Sequence, residues 1–281
     1  MSKNATLSER MKGYEDIYKF KVVPRTVFAL RLDGKNFSKY TKNLTKPFDK
    51  DFSDAMDQTA IALAEELNPS FLYTQSDEIT LIFANTNPES DVIFDGKIQK
   101  LVSISAAIAT AKFNEVRNNQ YIKSLVDRGG DMTSLETLYM ELAEEFSFPK
   151  QAYFDSRVIP LPNVDEAFNN VLCRQRDATK NSISMAADTV YSHKELTGKN
   201  GNEKQEMLFQ KGINWNDYPV KFKRGYVIKK FPVQIENSLA PAGFVVRGKW
   251  KVDEETPIFS EDRDYLYDLM IQKEILKNEN C

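Results

Sequence analysis

The chain has 281 residues, 41% hydrophobic and 28% charged, with 11 each of Gly and Pro; this balance excludes collagen-like, low-complexity and broadly disordered polymers. One histidine, His193, and two cysteines, Cys173 and Cys281, cannot assemble a zinc ribbon or an HExxH site, so any metal must be held by oxygen. Net charge is -3, from 38 Lys+Arg and 41 Asp+Glu, which argues against a generic nucleic-acid coat.

Two thiols are too few for a disulfide framework, and a reducing, cytoplasmic setting is expected. Residues 1–15 are polar and mixed in charge, and no apolar run reaches the length of a membrane span, so no membrane partner is expected. Charge is segregated along the chain. Residues 1–50 carry 12 Lys+Arg against 5 Asp+Glu, 51–170 carry 8 against 20, 171–230 carry 12 against 6, and 231–281 carry 6 against 10. Such blocks can build a cationic groove on an acidic body where a polyanion lies, and they fit ordinary solvated helix faces equally well.

The first element in chain order is a strand over Thr26–Asp33, ending at an Asp33-Gly34 turn. A helix follows from Asp49, its cap, to about Leu67, with Phe52, Met56, Leu63 and Leu67 at near-helical spacing. Phe71–Thr74 and Ile79–Ala84 read as a hairpin around Gln75-Ser76-Asp77-Glu78. Lys97 to Val116 reads as a second helix, apolar at Leu101, Ile104, Ile108 and Ala111, and 152–160 as a fourth strand. The order strand, helix, strand, strand, helix, strand predicts a ferredoxin-like split βαβ palm of the α+β class, an antiparallel sheet with helices on one face. In that topology the third strand lies between the first two, so Asp33 faces Asp77 and Glu78.

Residues 117–150 read as a polar, acidic insertion in this 1–160 unit, with a short helix near 135–146. The rest, 161–281, reads as a helical and β-hairpin extension. It holds a long helix over 163–192, a break at 198–202, a short helix over 203–211, β-rich runs over 225–235 and 243–252, and a closing helix over about 261–277. His193 is placed at the end of the long helix, Trp215 and Tyr218 under a loop, and Asp155 beside Arg157.

Magnesium takes a few carboxylates, a carbonyl and phosphate oxygens rather than a closed protein cage, and Asp33, the Gly34 carbonyl and Asp77 suit it. Two such ions can serve an in-line phosphoryl displacement without a histidine. Arg31, Lys35, Lys46 and Lys100 are the candidate phosphate cations, and the start of the second helix offers free amides to a triphosphate.

Arg31-Leu-Asp-Gly-Lys-Asn-Phe37, Thr45-Lys-Pro-Phe-Asp49, Gln75-Ser-Asp-Glu78, Phe154-Asp-Ser-Arg-Val158 and Arg174-Gln-Arg-Asp-Ala-Thr-Lys-Asn181, in this order, resemble the tRNA-His guanylyltransferase family in its Thg1-like branch, over about residues 5–230. The resemblance implies 3′-to-5′ nucleotide addition to a tRNA 5′ end, with ATP and GTP as substrates and a homotetramer, a dimer of dimers, as the assembly. It implies two Mg2+ ions at Asp33, Gly34 and Asp77, with Glu78 a further catalytic candidate. Lys46 matches the lysine of 5′-end activation, Ser76 and Lys100 match nucleotide-phosphate contacts, and Arg31, Lys35, Asn36 and Phe37 belong to the nucleotide motif. Arg174, Lys180, Asn181, His193, Lys194, Lys199, Lys211, Lys223 and Arg224 are the candidate tRNA contacts, with Lys221 a further candidate for phosphate.

Eukaryotic members carry histidine where this chain has Thr179, and the runs 191–199 and 211–218 resemble bacterial and archaeal members, which favour template-directed 5′-end repair. A nucleotide cyclase on a similar sheet and a non-catalytic RNA-binding module are the alternatives. The first would release cyclic nucleotide without RNA, and the second is disfavoured by a third strand that lacks the RNP1 aromatics.

Overall fold

The computed structural model describes residues 5–84, 91–128, 150–236 and 244–271. Six strands form one antiparallel sheet in the order β4-β1-β3-β2-β5-β6. They are β1 (Val27–Gly34), β2 (Phe71–Gln75), β3 (Glu78–Phe83), β4 (Phe154–Leu161), β5 (Tyr226–Glu236) and β6 (Phe244–Asp253). The helices in chain order are α1 (Leu7–Asp16), α2 (Phe37–Tyr40), α3 (Lys50–Leu67), α4 (Ile98–Arg128), α5 (Val164–Ala187), α6 (His193–Leu196), α7 (Gly201–Gln210), α8 (Val220–Arg224) and α9 (Asp264–Ile271).

The centre of the sheet has the expected split βαβ order, with β3 between β1 and β2. Alternation along β1 explains why both of its faces are apolar. Phe28, Leu30 and Leu32 join the core under α3 and α4, while Val27 and Ala29 join the core under α5 and α9. Helices on one face therefore describes α3 and α4 alone; α5 and α9 cover the other face. The two β-rich runs of the C-terminal half do not form a separate hairpin. They extend the same sheet, because Tyr226, Val227 and Ile228 pair with Thr74, Tyr73 and Leu72 of β2.

Asp49 caps α3 as expected: its Oδ1 accepts from the Phe52 amide at 2.8 Å and its Oδ2 from the Thr45 amide at 3.0 Å. α4 is longer than its apolar stripe predicts. Its last turns leave the sheet, so polar contacts hold them: Arg117 donates to Tyr40 Oη, and Gln120 to the Asp51 carbonyl at 2.7 Å. Residues 117–128 are thus helix rather than a loop excursion, and the helix expected near 135–146 lies outside the described residues, as does the end of the closing helix beyond residue 271. α1, which no apolar period announced, is held by a Thr6–Glu9 capping box and buries none of its residues. No helix among the described residues is long and apolar enough to cross a membrane.

One close approach fixes the end of β1. Strand pairing continues through Gly34, opposite Phe154, and the Lys35 amide donates to the Tyr153 carbonyl at 2.8 Å, so Asp33-Gly34 is the last step of a strand and not a turn. A Cβ on Gly34 would fall 2.3 Å from the Phe37 ring. That ring is buried among Tyr40, Phe52, Phe113 and Phe154, with centroids 5.1 Å from Phe154 and 5.5 Å from Phe113. The aromatic cluster pins the backbone beside Asp33.

Candidate active site

The two acids meet because β1 and the β2–β3 hairpin end at the same edge. Asp33 lies directly across from Glu78 in the register, and Asp77 occupies the adjoining two-residue turn after Ser76, which adopts a left-handed φ of 49°. Asp33, Ser76, Asp77 and Glu78 line one cavity of about 550 Å³. Arg174, Asn181, Ser182 and Met185 of α5 form its second wall, and Phe48, Asp49, Phe52 and Met56 its third. Lys221, Phe222 and Tyr226 close the remaining side.

The three acids of this edge differ in electrostatic surroundings. Glu78 is paired: its Oε1 lies 2.8 Å from Arg174 Nε and 3.6 Å from Arg31 Nε, and Arg174 also meets Asp177 at 2.8 Å. Asp77 has no such partner. Burial pushes its carboxyl up to about 6, with the negative charges of Asp33 and Glu78 acting in the same direction. Asp33 is also raised, by burial first and then by Glu78 and Asp155. Asp155 itself is held by Arg157 at 2.8 Å, as expected. Two hard oxygen donors left short of positive charge beside a cavity of nucleotide size suit a divalent cation. No group of three or more His, Cys, Asp or Glu is gathered to hold a metal among the described residues, so such an ion would need oxygens from the Gly34 carbonyl and from substrate.

The other expected residues scatter more widely. Lys46 is exposed and precedes Pro47 and Phe48, which line the cavity. Lys35 and Asn36 are exposed just past β1, Asn36 with a φ of 57°. Phe37 is a correction: its ring is 3% exposed and belongs to the core, so only its backbone is available to a nucleotide. Arg31 is a pairing residue under α5, donating to Asn170 Oδ1 at 3.1 Å, with burial lowering its pKa.

Lys100 is exposed in the first turn of α4. Ser105 contacts Ser156, opposite Leu32, and Thr110 contacts Phe154, opposite Gly34, so α4 runs in the direction of β1. Its free amides therefore lie toward the other end of β1 from the carboxylates, and the Ile98 amide is already used by the Phe20 carbonyl at 3.0 Å.

Among the residues expected to touch RNA, Arg174 and Asn181 reach the cavity, and Lys180 stands exposed on α5. His193 is the first residue of α6, not the end of a helix, and is exposed with Lys194. Lys199 pairs with Glu203 at 3.1 Å, and Lys211 lies 5.7 Å from the Tyr191 ring centre. Lys223 is turned inward onto the Asn216 carbonyl and the Trp215 ring, and the Arg224 carbonyl accepts from Tyr73. Trp215 is buried, its Nε1 donating to Ser182 Oγ at 3.2 Å.

Sequence reasoning offered Lys221 for phosphate and missed its link to Asp57: Lys221 and Tyr226 line the cavity, and Asp57, outside that lining, holds both. The Asp57 carboxylate accepts from Lys221 Nζ at 2.5 Å and from the Tyr226 hydroxyl, although burial pushes its own pKa up. Residues 57 and 221 are 164 apart in sequence, and only the unexpected pairing of β5 with β2 brings them together.

The class that follows from this geometry is a palm-type nucleotidyltransferase: an antiparallel sheet presenting two under-neutralised acids to a cavity of nucleotide size. Residues 8–162 match the family described as "Thg1: tRNAHis guanylyltransferase", and the chain belongs to that family. It is similar to a solved bacterial tRNA(His) guanylyltransferase (Thg1)-like protein in complex with ATP, at 36% identity and a TM-score of 0.75, over 95% of this chain and 100% of that one. A second such bacterial structure, in complex with GTP, gives 34% identity and a TM-score of 0.71 over the same shares. The tRNA(His) guanylyltransferase of Neurospora crassa is 27% identical over 74% of this chain and 67% of its own.

Proposed function

We propose that this chain adds nucleotides in the 3′-to-5′ direction to the 5′ end of a tRNA, by template-directed repair. The observation that carries the reading is the meeting of Asp33 and Asp77 on one cavity wall without a cation of their own, while Glu78 beside them has two arginines. The names of the bacterial neighbours, in complex with ATP and GTP, and of the Neurospora crassa relative support the substrates.

In this reading the tRNA 5′-monophosphate is first activated by ATP, forming a phosphoanhydride to AMP and releasing pyrophosphate. The 3′-hydroxyl of the incoming nucleotide then attacks the tRNA 5′-phosphorus; a new P–O bond forms, the anhydride breaks and AMP leaves. Asp33 and Asp77, with the Gly34 carbonyl, are the residues that would hold Mg2+. Bound magnesium ions would offset the phosphate charge and favour ionisation of the attacking hydroxyl.

The protein's own part is placement. Arg174 holds Glu78 in line with Asp33, the Phe37 cluster fixes the Gly34 carbonyl, and Ser76 and the exposed Lys46 and Lys35 are the groups we assign to triphosphate; Lys100, toward the other end of β1, is left out of this assignment. Residues 1–160 supply the acids and 161–281 the RNA contacts in this assignment, with Asn181, Lys180, Lys194, Lys199 and Lys211 the exposed candidates. Thr179, whose hydroxyl is occupied by the Gln175 carbonyl at 2.9 Å, favours repair over histidine-tRNA-specific addition of an unpaired G. Working as a homotetramer is carried over from the resemblance, and the cytoplasmic setting from the scarcity of cysteine.

The test mixes purified protein, Mg2+, ATP, labelled GTP and a tRNA lacking its first nucleotide, opposite either C or a base that cannot pair with G. Incorporation that depends on pairing, and that disappears in Asp33→Ala with unchanged circular dichroism, is the expected result. Cyclic nucleotide formed without RNA would replace the reading with a cyclase.

A further inference from the structure

The described part of the sheet does not stop at the catalytic edge. β5 and β6 pair over ten positions, from Val227↔Asp253 to Glu236↔Phe244, and β6 is the outermost strand. The pair carries Lys229, Lys230, Arg247, Lys249 and Lys251 against only Glu236 and Asp253, on a chain whose net charge is -3.

Register decides which of these cations act together. Lys229↔Lys251, Phe231↔Lys249 and Val233↔Arg247 are cross-strand partners, and alternate residues share a face. Arg247, Lys249 and Lys251 therefore form a row on one face of the edge strand, and all three are exposed. Lys229 is committed elsewhere, at 2.6 Å from Asp253 and 4.7 Å from the Tyr265 ring centre. Lys230, on the opposite face, is committed to Asn68 Oδ1 at 2.7 Å and to the Trp250 ring at 5.0 Å. Among the described residues, Arg247, Lys249 and Lys251 form no ion pair within 4.0 Å.

The row also has a definite position relative to the active site. Tyr226 lines the cavity and opens β5; its side chain lies on the face of Ile228 and Trp250, opposite the row, so the separation is reckoned along the strand. The partners of Lys251, Lys249 and Arg247 lie three, five and seven residues further along β5, which at ~3.3 Å per residue places them about 10, 17 and 23 Å from that wall. With a phosphate every ~3.4 Å of axis on one strand of a duplex, that span corresponds to roughly the third to seventh phosphates from a terminus held in the cavity.

We propose that the Arg247–Lys249–Lys251 row is a second RNA-binding surface, which grips the backbone of the duplex whose 5′ end enters the cavity. The identity of the polyanion rests on the tRNA reading above; the row itself rests on register and charge. Its role is affinity without sequence preference, since lysine and arginine on phosphates position a nucleic acid rather than read it. Charge on an edge strand also blocks edge-to-edge pairing of sheets. Either sign of charge achieves that, so charge reversal separates the two roles.

The experiment compares wild type with the combined variant Arg247→Glu, Lys249→Glu, Lys251→Glu, and with the milder triple change to Gln should reversal perturb folding. Dissociation constants for intact tRNA are measured by fluorescence anisotropy between 50 and 200 mM salt, beside ATP binding and thermal melting. The expected result is a roughly 10- to 100-fold weaker tRNA affinity and a salt slope smaller by about 2–3, with ATP binding and melting temperature unchanged.

Unchanged affinity and slope overturn the proposal. So does a shift of oligomeric state by light scattering in the variants, which would make the row a contact between copies, or tighter wild-type binding to phosphatidylserine vesicles than to tRNA. The two readings fail separately. Wild type that binds tRNA through the row but adds no nucleotide sinks the catalytic assignment alone; wild type that adds nucleotides while the variants bind tRNA equally well sinks the row alone.

Discussion

Replacing Asp77 with Asn separates what the active site needs from what the fold prefers. Burial holds the Asp77 carboxyl at about 6, against 3.8 for the ordinary group. A raised acid costs the folded state nothing below the unfolded pKa, because both states are then protonated. The cost grows as pH rises from about 4 to about 6 and is constant above. At ~1.4 kcal/mol per unit the ceiling is about 3 kcal/mol, and partial exposure brings the working figure to roughly 1–3 kcal/mol.

The amide of an Asp77→Asn variant has no charge to desolvate and no longer repels Asp33. The metal-free variant is therefore expected to melt some 3–10 °C above wild type at pH 8, and at the same temperature near pH 4. Mg2+ should raise the melting temperature of wild type at pH 8 and leave that of the variant almost unmoved, while nucleotide addition by the variant is lost. Differential scanning fluorimetry at both pH values, with EDTA or Mg2+, supplies all of these comparisons. A variant no more stable than wild type at pH 8, or equally stabilised at both pH values, refutes the claim that Asp77 is held ionised at a cost.

Three further changes test the frame around the acids. Gly225→Ala places a Cβ 2.4 Å from Tyr73 Oη and 2.6 Å from the Thr74 carbonyl at a φ of 70°, and should cost more than about 3 kcal/mol in urea unfolding; a loss under about 1 kcal/mol would show that the β2–β5 junction yields easily. Arg174→Ala leaves Glu78 with Arg31 at 3.6 Å alone and should cost about 1–3 kcal/mol, together with a fall in kcat that Arg174→Lys only partly restores. Phe37→Ala should cost about 3–5 kcal/mol, whereas Phe37→Leu should keep ATP affinity near wild type; a fall in ATP affinity at unchanged stability would return the ring to the nucleotide site.

How much of this was legible in the sequence follows the range of each interaction. Local signals read well: Asp49 as a cap, the stripe of α3, and the β-rich and apolar runs that place β1, β2 and β3 within a residue of their observed limits are all decided by near neighbours. The split βαβ order then sufficed to bring Asp33 opposite Glu78, because right-handed crossovers leave few alternatives. Failures came where stability is supplied from far away or by solvent. α4 continues past its apolar stripe on polar contacts, and α1 carries no buried stripe at all. Phe37 sits inside a motif that reads as nucleotide-binding, but its ring answers to Phe113 and Phe154, which no local pattern links to it. The Asp57–Lys221–Tyr226 link needed β5 to be placed beside β2, and hydrophobic periodicity does not say which edge a late strand joins.

The site's electrostatics are selective rather than merely acidic. Glu78 and Asp33 are cross-strand partners on one face, where direct opposition of like charges is unfavourable. The fold answers that repulsion by giving both arginines to Glu78, one from β1 and one from α5. Neutralising all three acids would stabilise the empty protein but would leave an incoming cation nothing to bind. Leaving all three unpaired would set a third uncompensated negative charge directly opposite Asp33. Pairing Glu78 alone keeps Asp33 and Asp77 as the oxygens still short of positive charge, beside the cavity wall built by α5. Glu78→Gln is therefore expected to leave Arg31 without an ion-pair partner among the described residues and Arg174 with Asp177 alone, adding uncompensated positive charge next to the acids, and so to raise the Mg2+ concentration needed for half-maximal activity rather than to remove a ligand. A half-maximal Mg2+ requirement equal to that of wild type would show that Glu78 acts in some other way.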